Sequence, residues 1–322
     1  MIAWALVGLF AFSMTACGGS DAPENPDADS KGSGDSVHIG IVVKSLADQH
    51  WALVKAGAEA KAAELGVKVD VIGPNSESDV QAQVDMIDNL IGQQVDALCL
   101  APSSQEAVLG SLQNAYDAGI PILTIDTDTT FDKRLSFIGT GNVAAAKMGG
   151  EAAAKVVGKG AKCVILRGRL GDPTHDQREQ GFREALEAAG VEIIEVKAAD
   201  SDAEKAMNIM QDLLQVHDKI DLVCCTTDNN VLGAQRAVEA AGAKTLLMSF
   251  DGTSNVCELI LQGKVLGSVA QNPYAMGELA VENALKAING EKVEARIDSG
   301  AEVIMADNAE KYLADLKEKA GQ

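Results

Sequence analysis

The chain has 322 residues, enough for two domains with substantial cores. Lysine and arginine number 27 against 47 aspartates and glutamates, giving a net charge of −20. Such an acidic surface repels phosphate backbones and anionic lipid, which argues against nucleic acid as a partner, and aromatics at 3% leave few stacking platforms.

Ile2 to Met14 is an apolar run, too short to span a bilayer and suited to the core of a signal peptide. It ends in Met14-Thr15-Ala16-Cys17 followed by Gly18-Gly19-Ser20, which resembles a bacterial lipobox, although no Lys or Arg precedes the run. Residues 1–17 are therefore expected to be a lipoprotein signal peptide, with Cys17 the lipidated first residue of the mature protein. Residues 18–36, rich in Gly, Ser, Pro and Asp, read as a disordered acidic linker. Asp27, Asp29 and Gly32 have the spacing of a calcium loop, but His38 stands where such a loop needs a bidentate Glu.

The folded part opens with Val37–Val43, a β-branched apolar run that reads as a strand buried on both faces. A polar loop, Lys44 to His50, leads to Trp51, Val54, Ala58, Ala62 and Leu65 at helical spacing, and Gly66 stops the helix. The alternation continues with strand Val67–Ile72, a helix through Val80 and Leu90, strand Val95–Leu100, a helix near Gln105–Ala118 and strand Ile120–Ile125. Strand Leu135–Ile138 precedes Gly139-Thr140-Gly141-Asn142, and a second set begins: helix Val143–Val157, strand Lys162–Arg167 and loop Gly168–Asp176. Helix Arg178–Ala189, strand Val191–Val196, helix Ala203–Val216, strand Ile220–Thr226, helix Val231–Ala241 and strand Thr245–Phe250 follow. Helix Val256–Gln262, strand Val265–Ala270, helix Tyr274–Ile288 and the tail Glu302–Ala320 complete the sheets. Regular strand–helix alternation specifies α/β architecture with parallel sheets, and two successive sets specify two lobes.

Few motifs suggest covalent chemistry. Gly139-x-Gly141-x-x-Ala144 has the form of a dinucleotide fingerprint, with Arg167 where an acidic residue would end the next strand, so an NADP-dependent reductase is the enzyme alternative. The same glycines also suit a hinge between lobes. Gly158-Lys159-Gly160 lacks P-loop spacing, and His38, His50, His175 and His217 have no metal-ligand spacing. Cys99, Cys163, Cys224, Cys225 and Cys257 show no paired spacing, and they read as small buried hydrophobes. No metal and no cofactor is expected.

The polar residues are distributed more tellingly. Asp48, Asp126, Asp176, Asp251 and Gln271 each fall at or just after the carboxyl end of a strand, where open α/β sheets bind ligands. With Lys44 and Arg178 they read as one cleft of charged, planar groups suited to the hydroxyls of a sugar, while Asp176 is equally suited to capping a helix that begins near Arg178.

All of those residues except Asp176 lie within the segments KSLADQHW, VKAGAEAKAAELGV, LTID at Leu123–Asp126, IGTGN, REQGF, FDGT at Phe250–Thr253 and VAQNP at Val269–Pro273. From Val37 to about Met305 the chain thereby resembles the periplasmic sugar-binding proteins of the ribose, allose and galactose class, the type I periplasmic-binding fold. The resemblance implies two Rossmann-like lobes joined by a three-strand hinge near Thr140, Gln271 and Gly300. One lobe would comprise 37–140 with 272–299, the other 141–271 with 300–322. It implies ligand contacts from Lys44, Asp48, Asp126, Arg178, Asp251 and Gln271, with Trp51 as a stacking ring and His50 in place of a second aromatic. Asp176 stands where ribose-type members have an arginine, Thr227 with Asp228 following where the family usually has Asn, and Ser201 where ribose-type members have an aromatic.

The implied protein is the extracytoplasmic, lipid-anchored binding component of an ABC importer for a monosaccharide, polyol or amino sugar. It would be a monomer that docks on a permease, meets the membrane only through its anchor and has no enzymatic activity. Two other uses of the fold are a sensory or quorum-signal receptor and the core of a LacI-type repressor. The latter needs a helix-turn-helix where the signal and tether stand.

Overall fold

The computed structural model describes residues 36–321, so the expected signal peptide, the lipidated Cys17 and nearly all of the linker lie outside the described residues. In chain order the elements are β1 (His38–Val42), α1 (Gln49–Leu65), β2 (Lys68–Ile72), α2 (Val80–Gly92), β3 (Ala97–Leu100) and α3 (Leu109–Asp117). Next come β4 (Ile122–Ile125), β5 (Ser136–Gly139), α4 (Asn142–Val157), β6 (Lys162–Arg167), α5 (Pro173–Ala188) and β7 (Glu192–Ala198). Then follow α6 (Ala203–Val216), β8 (Leu222–Cys225), α7 (Asp228–Ala241), β9 (Leu246–Asp251) and α8 (Ser254–Leu261). The chain closes with β10 (Gly267–Gln271), α9 (Pro273–Ile288), β11 (Arg296–Asp298), β12 (Ala301–Met305) and α10 (Ala309–Lys319).

The strands form two six-stranded sheets, ordered β11-β5-β4-β3-β1-β2 and β12-β10-β9-β8-β6-β7. Neighbours run parallel throughout, except that β12 pairs antiparallel with β10. Helices cover both faces of each sheet, so the strands read as continuous apolar runs rather than alternating ones. Ile41, Cys99 and Leu123 pack with Trp51, Val54 and Met276 on one face of the first sheet, while Val42, Leu98 and Ile122 pack with Ile87 and Leu112 on the other. In the second sheet Ile165, Cys224 and Phe250 pack against Ala146 and Phe182, and Val164, Cys225 and Leu247 against Met210, Ala234 and Ile260. All five described cysteines are buried and unpaired, as small core residues.

Strand order reverses between β1 and β3 in one sheet and between β6 and β8 in the other. At such switch points successive helices leave on opposite faces and the loops beyond the strand ends open a crevice. The chain passes between the sheets three times, at Thr140–Gly141, Gln271–Asn272 and Ser299–Gly300.

Local chemistry explains most boundaries. Gly66 takes the left-handed conformation (φ 68°) and ends α1, its N–H donating to the Ala62 carbonyl. Helices α1 and α9 lie in close contact because Gly57 faces the Tyr274 carbonyl and Gly277 faces the Val54 carbonyl, and a Cβ at either would strike backbone. Three expectations are corrected. Helix α5 starts at Pro173 rather than near Arg178, because Asp172 caps it and Pro173 takes its first position. Helix α3 starts at Leu109, since Glu106 to Leu109 forms a turn. The tail divides into β12 and α10, and residues 296–298 add an edge strand to the first sheet. Among the described residues no helix is long and apolar enough to cross a membrane.

Candidate functional site

The loop after β1 supplies the first wall. Ser45 fixes it: its hydroxyl donates to the Asn75 carbonyl at 3.0 Å, and the Leu46 N–H reaches the Pro74 carbonyl at 3.2 Å. Asp48 occupies the N-cap position of α1 in extended conformation yet makes no capping bond, which leaves its carboxylate for the cleft. His50 and Trp51 follow in the first turn. Trp51 is buried in the core with its indole N–H donating to Glu77 Oε1 at 3.2 Å, and the His50 ring stands edge-on to it at 4.7 Å.

Asp126, just beyond β4, sits in the left-handed region (φ 59°), a conformation that an aspartate tolerates better than most residues. Its Oδ1 lies 3.2 Å from His50 Nε2, close enough for strong Coulombic attraction although the alignment is not that of a hydrogen bond. Burial opposes charge on both groups, but each partner overrides it. The His50 pKa is raised by Asp126, and Asp126 is held well below the usual carboxylate range by His50, Lys44 and Arg178.

The second wall comes from the loops after β6, β8, β9 and β10. Arg178, 4% exposed, places its guanidinium carbon over the Phe250 ring, 3.9 Å from the ring centre. Its guanidinium donates to Asn142 Oδ1 (2.9 Å), the Thr226 carbonyl (3.0 Å) and Asp251 Oδ1 (3.1 Å). Asp251 also has positive φ (128°) and accepts from Gln271 Nε2 at 2.9 Å, while Gln271 Oε1 accepts from Thr140 at 2.8 Å. The Asp251 pKa is nonetheless raised, because burial outweighs Arg178 and His50. Thr227 caps α7 with its hydroxyl. Asp228 is buried beside it, accepting from Ser249 (2.5 Å), Ser268 (3.1 Å) and the Thr253 N–H (2.6 Å); burial and the neighbouring Asp251 push its pKa up to about 7.

These residues enclose one cavity of about 350 Å3 between the two sheets. Ten of the eleven candidates line it: Lys44, Asp48, His50, Trp51, Asp126, Arg178, Thr227, Asp228, Asp251 and Gln271. Asp176 does not, and this corrects both roles considered for it. With α5 starting at Pro173, Asp176 lies within the first turn instead of capping it. Helical spacing then puts His175 and Arg178 on the cleft face, while Asp176 and Glu179 face Arg167, which pairs with both carboxylates.

His175 thus stands in the wall where sequence reasoning placed Asp176. Its Nδ1 lies 3.0 Å from Thr226 Oγ1, and burial together with Arg178 lowers its pKa to about 4, so the ring is neutral near pH 7. Glu77, Asp172, Thr174 and Thr253 also line the cavity without having been singled out. The pair Asp172-Pro173 is a helix-start signal that would have revealed His175 and the true register.

The Gly139–Gly141 fingerprint lies on a crossing between the sheets. A Cβ at Gly139 would strike the Phe137 ring at 2.8 Å and one at Gly141 the Asp298 carboxylate at 2.9 Å, so close packing of the crossing segments accounts for both glycines. Among the described residues no group of three or more His, Cys, Asp or Glu side chains is placed to hold a metal ion.

Comparison with known proteins places this geometry among relatives. The family described as periplasmic binding protein domain matches residues 39–292. The ribose import binding protein of Haemophilus influenzae is 33% identical over 266 residues, covering 83% of this chain and 90% of its own. That of Bacillus subtilis is 30% identical, covering 91% and 95%. Among solved structures, an ABC transporter periplasmic solute-binding protein from Actinobacillus succinogenes, with bound D-allose, superposes with a TM-score of 0.79 at 26% identity, covering 85% of this chain and 99% of its own.

Proposed function

Since the chain belongs to the periplasmic binding protein family, we propose that it is the extracytoplasmic binding component of an ABC importer, holding a monosaccharide, polyol or amino sugar between its lobes. The observation that carries this reading is convergence. Asp126 and His50 from one lobe and Asp251, Asp228 and Arg178 from the other meet around one cavity. Carboxylates and a planar guanidinium fixed by their own hydrogen bonds are suited to several hydroxyls at once, and binding of this kind needs no covalent chemistry. Trp51 supplies an apolar part of the wall for a sugar face, beside the polar pair of His50 and Asp126.

Strand membership supports a division into 37–140 with 272–299 and 141–271 with 300–321, and the three crossings are the natural hinge. Closing about it would bury the ligand and present a surface to a permease. The lipid anchor rests on the sequence at Cys17 alone: Cys17→Ser should release the protein from the membrane without changing ligand affinity, and wild-type protein with an unmodified Cys17 would reject the anchor.

The decisive test is a thermal-shift screen of pentoses, hexoses, inositols and amino sugars. A true ligand at a hundredfold excess over its Kd adds about 2.7 kcal/mol, which should raise Tm by several degrees. Binding should also change Trp51 emission. Failure of every sugar and polyol to shift Tm would reject the reading.

A further inference from the structure

Gln49 opens α1 between two cavity residues, Asp48 and His50, yet does not itself line the cavity. Its amide reaches the opposite lobe instead. Nε2 donates to Ser254 Oγ at 2.7 Å, and Oε1 accepts the Ser254 backbone N–H at 3.1 Å. Among the described residues these are the only side-chain hydrogen bonds that join the lobes away from the three crossing segments.

Ser254 is the first residue of α8, so its N–H has no acceptor within the helix. Thr253, at the N-cap position, makes no capping bond, because its hydroxyl donates to Asp228 Oδ2 at 2.8 Å. The start of α8 is therefore completed from the other lobe. On both sides the partners adjoin cavity residues, Asp48 and His50 on one, Asp251 and Thr253 on the other. Whatever draws these walls together forms the two bonds, and opening the cleft breaks them.

We propose that Gln49 is an interlobe clamp, which stabilises the closed form and sets how long a ligand stays without choosing which ligand enters. A side chain that favours one state but touches no ligand strengthens every ligand's binding by the same factor. The ligand measurements rest on the sugar-binding reading; the measurement without ligand does not.

Three variants of the full chain test the clamp. Gln49→Ala removes both bonds. Ser254→Pro removes the N–H and the hydroxyl while leaving α8 intact, since proline suits the first helical position and Thr253 (φ −69°, ψ 156°) already has the conformation that a following proline requires. Gln49→Glu keeps two acceptors, for the N–H and for a hydroxyl turned to donate, and should behave like the wild type. With D-ribose, D-allose and myo-inositol as probes, the Ala and Pro variants should bind each recognised probe about tenfold more weakly, chiefly through faster dissociation and with unchanged ratios among probes. Wild-type affinities and dissociation rates would overturn the clamp. So would altered ratios, which would mean that Gln49 touches the ligand. If none of these three probes binds the wild type, the sugar reading is left to the full ligand screen, and the clamp is judged by interlobe distance distributions from spin labels on the unliganded chain. There Gln49→Ala must shift the distribution toward open forms, and an unchanged distribution overturns the proposal.

Discussion

His175 packs over Gly168, where any Cβ would strike the ring, and burial beside Arg178 holds its pKa at about 4 against an ordinary 6.5. Between those values the unfolded chain binds a proton here and the folded chain does not. Stability present above pH 6.5 is thus lost as pH falls toward 4. Asp228, raised to about 7, has the opposite sign, because the folded chain holds its proton from pH 3.8 upward and that stability is lost as pH rises through 7. Comparing the wild type with His175→Gln isolates the imidazole. The variant should lose about 2 kcal/mol less between pH 7 and pH 4, allowing for solvent screening of a part-exposed ring. Parallel stability curves from chemical denaturation would show that the ring titrates normally. The cysteines give a second test at this scale. Burial pushes Cys99 and Cys257 up to about 12, so a thiol reagent at neutral pH should label none of the five described thiols until the chain unfolds, and rapid labelling of the native protein would contradict their burial.

Two junctions among the elements matter most to the cleft. The start of α5 sets which side chains face the cavity, and it depends on the Asp172 carboxylate accepting the Thr174 N–H at 2.9 Å. Asp172→Ala should cost about 1 kcal/mol of stability and also weaken binding, because His175 and Arg178 lose their fixed register. Affinity unchanged alongside that stability loss would mean that later turns hold the register alone. At the α1–α9 contact, Gly57→Ala gains helix propensity but drives a methyl into the Tyr274 carbonyl. Overpacking costs about 1–3 kcal/mol and exceeds the propensity gain of about 1, so the variant should unfold at lower denaturant. A stabilised Gly57→Ala would show that α1 can move away from α9.

For the molecule as a whole, the balance of charge constrains the ligand. Seven carboxylates and two permanent cations, Lys44 and Arg178, line the cavity. Several carboxylates are already engaged: Asp126 with His50, Asp251 with Arg178, and Asp200 with Lys205. A neutral polyol needs no additional countercharge, and an ammonium group would meet carboxylates, whereas a sugar acid would add a like charge at a desolvated site. Uronic and aldonic acids should therefore bind at least about tenfold more weakly than their neutral parents. Calorimetry showing preference for the acid would reject this.

The α/β class, the strands of both sheets and most of the candidate residues that line the cavity were legible in the sequence, because each depends on local pattern. Val37–Val43 and Ile120–Ile125 read as buried strands from apolarity alone, and Asp126 and Asp251 were found because strand ends are where such sheets open. Gly66 and the clustering of small cysteines in strands were readable for the same reason. Side-chain direction on α5 was not. It changes by about 100° per residue, so misplacing the helix start exchanged His175 for Asp176 and hid the partner that Arg167 gives Asp176. Contacts between distant segments, such as Gln49 with Ser254 or Gly57 with Tyr274, carry no periodic signal, and only the packing of one lobe or helix against another decided them.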